Sequence, residues 1–122
     1  MTTASGNKVM LVEDDASMRA VLRTLLEIEG YEVALIPDRI ALDGILQAIR
    51  EAKPAIILLD VHLRDISGFD VLQQLRAEPE IQAARVIMSS GMDVRDRCMA
   101  AGADDFLMKP YMPDELLKKL QG

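Results

Sequence analysis

Ala55-Ile56-Ile57-Leu58-Leu59-Asp60 is a run of five apolar residues that stops on a carboxylate. A strand apolar at every position, not at every second one, is buried on both faces, as in a parallel sheet covered by helices. Four other runs share this character: VMLV at 9–12, VALI at 33–36, VIM at 86–88 and FLM at 106–108. Amphipathic segments separate them. Met18, Val21, Leu22, Leu25 and Ile28 recur at helical spacing from about Ala16 to Glu29, where Gly30 supplies a stop. Ile45, Leu46 and Ile49 repeat the pattern before Pro54, Val71, Leu72 and Leu75 before Pro79, and Leu116, Leu117 and Leu120 near the end. The alternation reads (βα)5. Right-handed crossovers then give a five-stranded parallel sheet with helices on both faces.

The 122 residues fit one domain spanning 1–122, in which 1–7 form a polar N-terminal tail. No internal repeat, low-complexity tract or linker interrupts it. A net charge of -6 argues against direct binding of nucleic acid, whose phosphates call for an excess of Lys and Arg. Cys98 is the only cysteine, so no internal disulfide forms and a reducing compartment is the default. No apolar stretch approaches the length of a bilayer span, and MTTASGNK is too polar for a secretion signal. The expectation is a soluble, cytoplasmic protein that does not engage membranes.

Three strand ends carry charge. Glu13, Asp14 and Asp15 follow the first run, Asp60 closes the third, and Lys109 with Pro110 follows the fifth. Parallel strands bring these ends to one sheet edge, where open α/β folds keep their sites. Each has an ordinary explanation alone: Asp14 or Asp15 as a helix N-cap, Asp60 as a polar strand end, Lys109 as a solvated side chain. Their coincidence is what points to chemistry. Two carboxylates about 4 Å apart repel by roughly 4 kcal/mol at an effective dielectric near 20, so Asp14, Asp15 and Asp60 require a counter-ion. Mg2+ prefers oxygen ligands and bridges readily to phosphate oxygens. A carboxylate can also act as a nucleophile and form an aspartyl phosphate. Lys109 would then pair with a phosphoryl oxygen, and Ser90 in VIMSSG would donate to another.

These motifs resemble those of response-regulator receiver domains of two-component signalling, over nearly the whole chain. VEDDAS follows the first strand, LLDVHLRDISGFDVL surrounds Asp60, VIMSSG ends the fourth strand and AGADDFLMKPY runs through the fifth. The resemblance implies a flavodoxin-like (βα)5 three-layer sandwich of strand order 2-1-3-4-5. It implies that Asp60 accepts a phosphoryl group from a histidine kinase or histidine phosphotransfer protein. Asp14, Asp15 and Asp60 would bind Mg2+, Asp14 through water, and the backbone carbonyl of His62 would complete the set. Ser90 and Lys109 would contact the phosphoryl group, and Phe106 would swing from an outward to an inward rotamer behind Ser90. The surface of the fourth helix, fifth strand and fifth helix would carry the signal to an effector. The Lys109–Pro110 bond is expected to be cis.

The chain departs from the family pattern in places. Arg64 stands where receivers usually carry proline, four residues after the acceptor, which makes that loop more basic and less rigid. Ser90 replaces the more usual threonine. Eleven residues between Ser90 and Gly102 leave room for a fourth helix of only one or two turns, held by little packing. The last helix ends early, so either it is trimmed or the chain is cut from a longer protein. His62 matches no metal-site pattern. Met18, Met88 and Met108 read as core filling, Cys98 as packed on the short helix, and Gly91 as leaving the acceptor accessible. Among rivals, an FMN-binding flavodoxin-type carrier is disfavoured because Glu13, Asp14 and Asp15 would repel the FMN phosphate. An aspartyl-phosphate phosphatase would want a second acid where His62 stands. A phosphorylation-independent interaction module would have no need of every charged residue.

Overall fold

The computed structural model describes residues 7–37 and 41–122. Strands and helices alternate as β1 (Lys8–Val12), α1 (Ala16–Ile28), β2 (Glu32–Leu35), α2 (Leu42–Ala52), β3 (Ile56–Asp60), α3 (Gly68–Ala77), β4 (Arg85–Ser90), α4 (Arg95–Ala101), β5 (Asp105–Met108) and α5 (Pro113–Gln121). All strand pairs are parallel and the sheet runs β2-β1-β3-β4-β5. The apolar runs thus form the sheet expected of them, with β1, β3 and β4 buried on both faces and the edge strand β2 only partly buried. Apart from Asn7, whose side-chain amide donates to the Gly30 carbonyl, the predicted polar tail lies outside the described residues. No described helix is long and apolar enough to cross a membrane.

Alternate strand residues face opposite layers. Met10, Val12, Ile57, Leu59, Val86 and Met88 pack with Ile45, Leu46 and Ile49 of α2, Val71, Leu72 and Leu75 of α3, and Cys98 of α4. Val9, Leu11, Ile56, Leu58, Ile87 and Leu107 pack with Leu22 and Leu26 of α1 and Leu116 and Leu120 of α5. Three helices cover one face and two the other. Local signals fix the helix ends: Asp15 caps α1, Ser67 caps α3 by accepting from the Phe69 amide, and Pro113 opens α5. Gly30 and Gly102 follow α1 and α4 at φ of 93° and 110°, conformations that glycine adopts without strain.

Two packing expectations are corrected. Val21 and Ile28 are 65% and 74% exposed. At about 100° per residue they lie off to one side of the stripe centred on Met18, Leu22, Leu25 and Leu26, which alone reaches the sheet. Met108 is half exposed, because it is the last residue of the edge strand β5. Cys98 is buried, and α4 has seven residues, as its short connection requires.

At the amino edge of the sheet the Arg76 guanidinium, on the last turn of α3, joins two connections. It donates to the carbonyls of Gln82 and Ala84 before β4, to that of Gly102 after α4, and to the Asp104 carboxylate before β5. Asp104 also accepts from the Val86 amide.

Candidate functional site

The site forms at the opposite edge, where β1, β3, β4 and β5 end. Val12 stands beside Leu59 in the sheet, so the next residues, Glu13 and Asp60, emerge side by side. Both side chains are buried: Glu13 is 5% and Asp60 7% exposed. Lys109, just past β5, reaches across to both, with its Nζ 2.8 Å from Glu13 Oε1 and 3.1 Å from Asp60 Oδ2. Asp14 completes the group. Glu13, Asp14 and Asp60 each offer a carboxylate oxygen, all within 4.8 Å of one another.

Asp15 lies elsewhere than expected. It is the residue before α1, extended at φ -80° and ψ 112°, and its Oδ1 accepts from the Met18 amide at 3.0 Å. The strand-to-helix turn therefore spends Asp15 on capping, while the end of β1 puts Glu13 among the clustered acids. The ordinary explanation of Asp15 holds, and the carboxylates brought together are Glu13, Asp14 and Asp60. The alignment of Glu13 with Asp60 comes from the register of the β1–β3 ladder, which residue type alone does not give.

Burial, and then the neighbouring Glu13 carboxylate, push the Asp60 pKa above its ordinary value, against the opposing pull of Lys109. Burial alone would lower Lys109, but its hydrogen bond to Glu13 and the nearby Asp60 charge outweigh it and its pKa rises. Three carboxylates meet one ammonium, which leaves excess negative charge in a partly dry place. The donor set is all hard oxygen, which suits Mg2+ and not a soft metal.

The neighbouring residues are arranged as follows. His62 is exposed, and its amide makes a long 3.4 Å contact with Asp60 Oδ1. Lys109–Pro110 is cis. Ser90, the last residue of β4, is fully buried; its Oγ accepts from the Met92 amide at 3.0 Å, and its carbonyl accepts from the Lys109 amide at 2.8 Å. A Cβ at Gly91 would meet nothing within 4 Å, so this exposed turn has room for a larger residue. The Phe106 ring is 6% exposed and packs in the same core cluster as Cys98 and Ala103. The ring thus lies in the core and not in solvent. An all-carbon ring gains nothing from solvent and buries itself. The Arg97 guanidinium of α4 lies 4.3 Å from the centre of the Phe69 ring on α3.

Two further residues shape the site. A Cβ at Gly68 would stand 2.3 Å from the Asp60 carbonyl oxygen and 2.9 Å from Val61 Cα, so only glycine lets α3 approach the end of β3 this closely. The Gly68 amide donates to the Val61 carbonyl at 2.7 Å. The Arg64 amide donates a short hydrogen bond to Asp14 Oδ2. The sequence offered no signal for that contact beyond the missing proline.

The sequence profile of the response regulator receiver domain matches residues 9–121, and the chain belongs to that family of two-component signalling proteins. It is 34% identical over 116 residues to the DNA-binding response regulator MtrA of Mycobacterium tuberculosis strain H37Rv, covering 93% of this chain and 49% of that protein. It is 35% identical over 117 residues to the probable transcriptional regulator ycf27 of Galdieria sulphuraria, covering 93% and 44%. The chain thus spans about half the length of the curated relatives it matches. Among solved structures it resembles the Vibrio cholerae chemotaxis protein CheY4, with a TM-score of 0.83, 28% identity and coverage of 93% and 95%. It also resembles the receiver domain of sensor histidine kinase PA1611 from Pseudomonas aeruginosa, whose structure has a magnesium ion in the active-site cleft. That match has a TM-score of 0.81, 28% identity and coverage of 95% of both chains.

Proposed function

We propose that this receiver domain is a phosphorylation switch in which Asp60 accepts a phosphoryl group from a histidine kinase or a histidine phosphotransfer protein. The observation that carries the reading is the buried Asp60 carboxylate held by Lys109 beside two further acids at an open sheet edge. In the transfer, the P–N bond of a phosphohistidine breaks with its electron pair returning to the imidazole, as a P–O bond forms to Asp60. Hydrolysis by water restores the carboxylate.

Glu13, Asp14 and Asp60 are the residues that would hold Mg2+, with the His62 carbonyl as a fourth donor and Asp15 left to cap α1. A bound Mg2+ supplies positive charge that offsets the acids and the incoming phosphoryl oxygens. Lys109 exchanges its contact with Asp60 for one with a phosphoryl oxygen, a charge-assisted bond that exists only in the modified state. Ser90 Oγ leaves the Met92 amide and donates to another oxygen. Phe106, already buried, readjusts behind it and alters the surface of α4, β5 and α5 that an effector reads. We assign the domain to the cytoplasm, with no direct contact to nucleic acid. The acidic edge repels an FMN phosphate, which leaves a phosphorylation-independent interaction module as the competing reading.

Incubation with acetyl phosphate and Mg2+ followed by intact-mass spectrometry tests the proposal. One phosphate should add to the wild type and none to Asp60→Asn. Equal modification of the variant would remove Asp60 from its role, and an unmodified wild type would favour the interaction module.

A further inference from the structure

We propose that the Arg64 main-chain amide is a positioning group for the cation ligand Asp14, so that in this chain the β3–α3 loop itself organises the metal site. The inference rests on the reading of Glu13, Asp14 and Asp60 as the Mg2+ site. Its basis is one contact across fifty residues of sequence: the Arg64 N–H donates to Asp14 Oδ2. A proline at this position, the residue receivers usually carry, has no N–H and could not make it.

Asp14 needs such a partner. Glu13 is held at both oxygens, by Lys109 and by the Asp15 amide, and Asp60 is held by Lys109 with the His62 amide nearby. Among the described residues, the Arg64 amide is the donor the structure gives Asp14. An aspartate fixed through one oxygen keeps the other for a cation and no longer loses rotamer freedom on binding it. Donors behind a ligating carboxylate set its orientation in this way. The loop is firm enough for the role, because the Leu63 amide donates to the Ile66 carbonyl, His62 bridges to Ser67, and the Gly68 amide donates to the Val61 carbonyl. The amide acts whatever side chain stands at 64, so the guanidinium is dispensable for this role and the N–H is not.

The test uses the full chain and two readouts. Mg2+ affinity is measured by titration followed through 15N–1H shifts, for wild type, Arg64→Pro and Arg64→Ala. Losing the donor behind a ligating carboxylate predicts that Arg64→Pro binds Mg2+ roughly 10- to 100-fold more weakly than Arg64→Ala, which keeps the amide. Equal affinity in the two variants, or tighter binding by the proline variant, overturns the proposal. Hydrogen exchange without metal reads the contact directly: the Arg64 amide should be protected in the wild type and lose protection in Asp14→Ala. Fast exchange in the wild type overturns it as well, independently of Mg2+. A wild type that shows no Mg2+ shifts at the three acids instead overturns the metal reading, and the positioning role with it. Unfolding curves for both position-64 variants establish that affinities are compared between folded proteins.

Discussion

Replacing Gly68 with alanine adds one methyl group to the first residue of α3, where helix propensity alone would favour alanine by roughly 0.5–1 kcal/mol. The structure predicts the opposite sign. The new Cβ would stand 2.3 Å from the Asp60 carbonyl oxygen, while ordinary contact begins at 3.4 Å, so the two must part by about 1 Å. The second obstacle, Val61 Cα at 2.9 Å, is also main chain, and neither can turn away as a flexible side chain would. Overpacking of this kind costs about 1–3 kcal/mol, and the rigid obstacles put this case at the upper end. The 2.7 Å bond from the Gly68 amide to the Val61 carbonyl stretches as the helix backs off. The same displacement moves the acceptor, and a 1 Å misplacement of a reacting group can slow transfer about 100-fold. Urea unfolding followed by circular dichroism measures the first effect, and the rate of mass gain from acetyl phosphate the second. A Gly68→Ala protein at least as stable as wild type and phosphorylated at the same rate would refute the close-approach argument.

Three further outcomes are expected. Lys109→Ala should still accept phosphate to some degree but lose most of the phosphorylation-induced NMR shifts in α4, β5 and α5, because the ammonium contact distinguishing the two states is gone; an unchanged shift pattern contradicts this. Asp105 is contacted by Lys119 at 2.9 Å and lies 3.9 Å from Arg95; despite burial, which would raise it, the Lys119 contact, the Phe106 amide and the Arg95 charge hold its pKa below 3.8. A depressed folded pKa stabilises the protein fully above the unfolded value of 3.8 and loses that contribution as pH falls through the folded value, so Asp105→Asn should cost about 1 kcal/mol at pH 7 and progressively less in urea melts below pH 4. Hydrogen exchange over residues 92–101 should be fast without a phosphoryl mimic and slow with beryllofluoride, since Cys98 is the one buried residue of α4; strong protection in both states counts against it.

The strands were legible because buried strands need unbroken apolar runs, and the runs are complete here, whereas their order followed from the family resemblance and not from the runs. The meeting of Asp60 and Lys109 was legible because both stand at run ends, and topology fixes which ends meet. The choice among three consecutive acids was not. Whether Glu13, Asp14 or Asp15 turns inward depends on where the strand stops and the helix begins, and a one-residue shift exchanges a cap for a site residue. Val21 and Ile28 misled because apolar character shows that a residue can be buried, not that the neighbouring layer extends far enough to bury it. The Phe106 rotamer and the Arg64 contact depend on loop geometry that no pattern of residue types encodes.

The Arg76 guanidinium gives the two ends of the sheet unequal mechanics. By gripping the Gly102 carbonyl, it anchors the carboxyl end of α4 to α3 and to the segment entering β4. The amino end of α4 has no side-chain cap and follows the open turn at Gly91. Toward its amino end the helix is held through side chains, Arg95 near Asp105 and Arg97 over the Phe69 ring. Any displacement of α4 is therefore expected to be largest near Val94 and Arg95 and smallest toward Ala101, a gradient that hydrogen exchange along the helix would read.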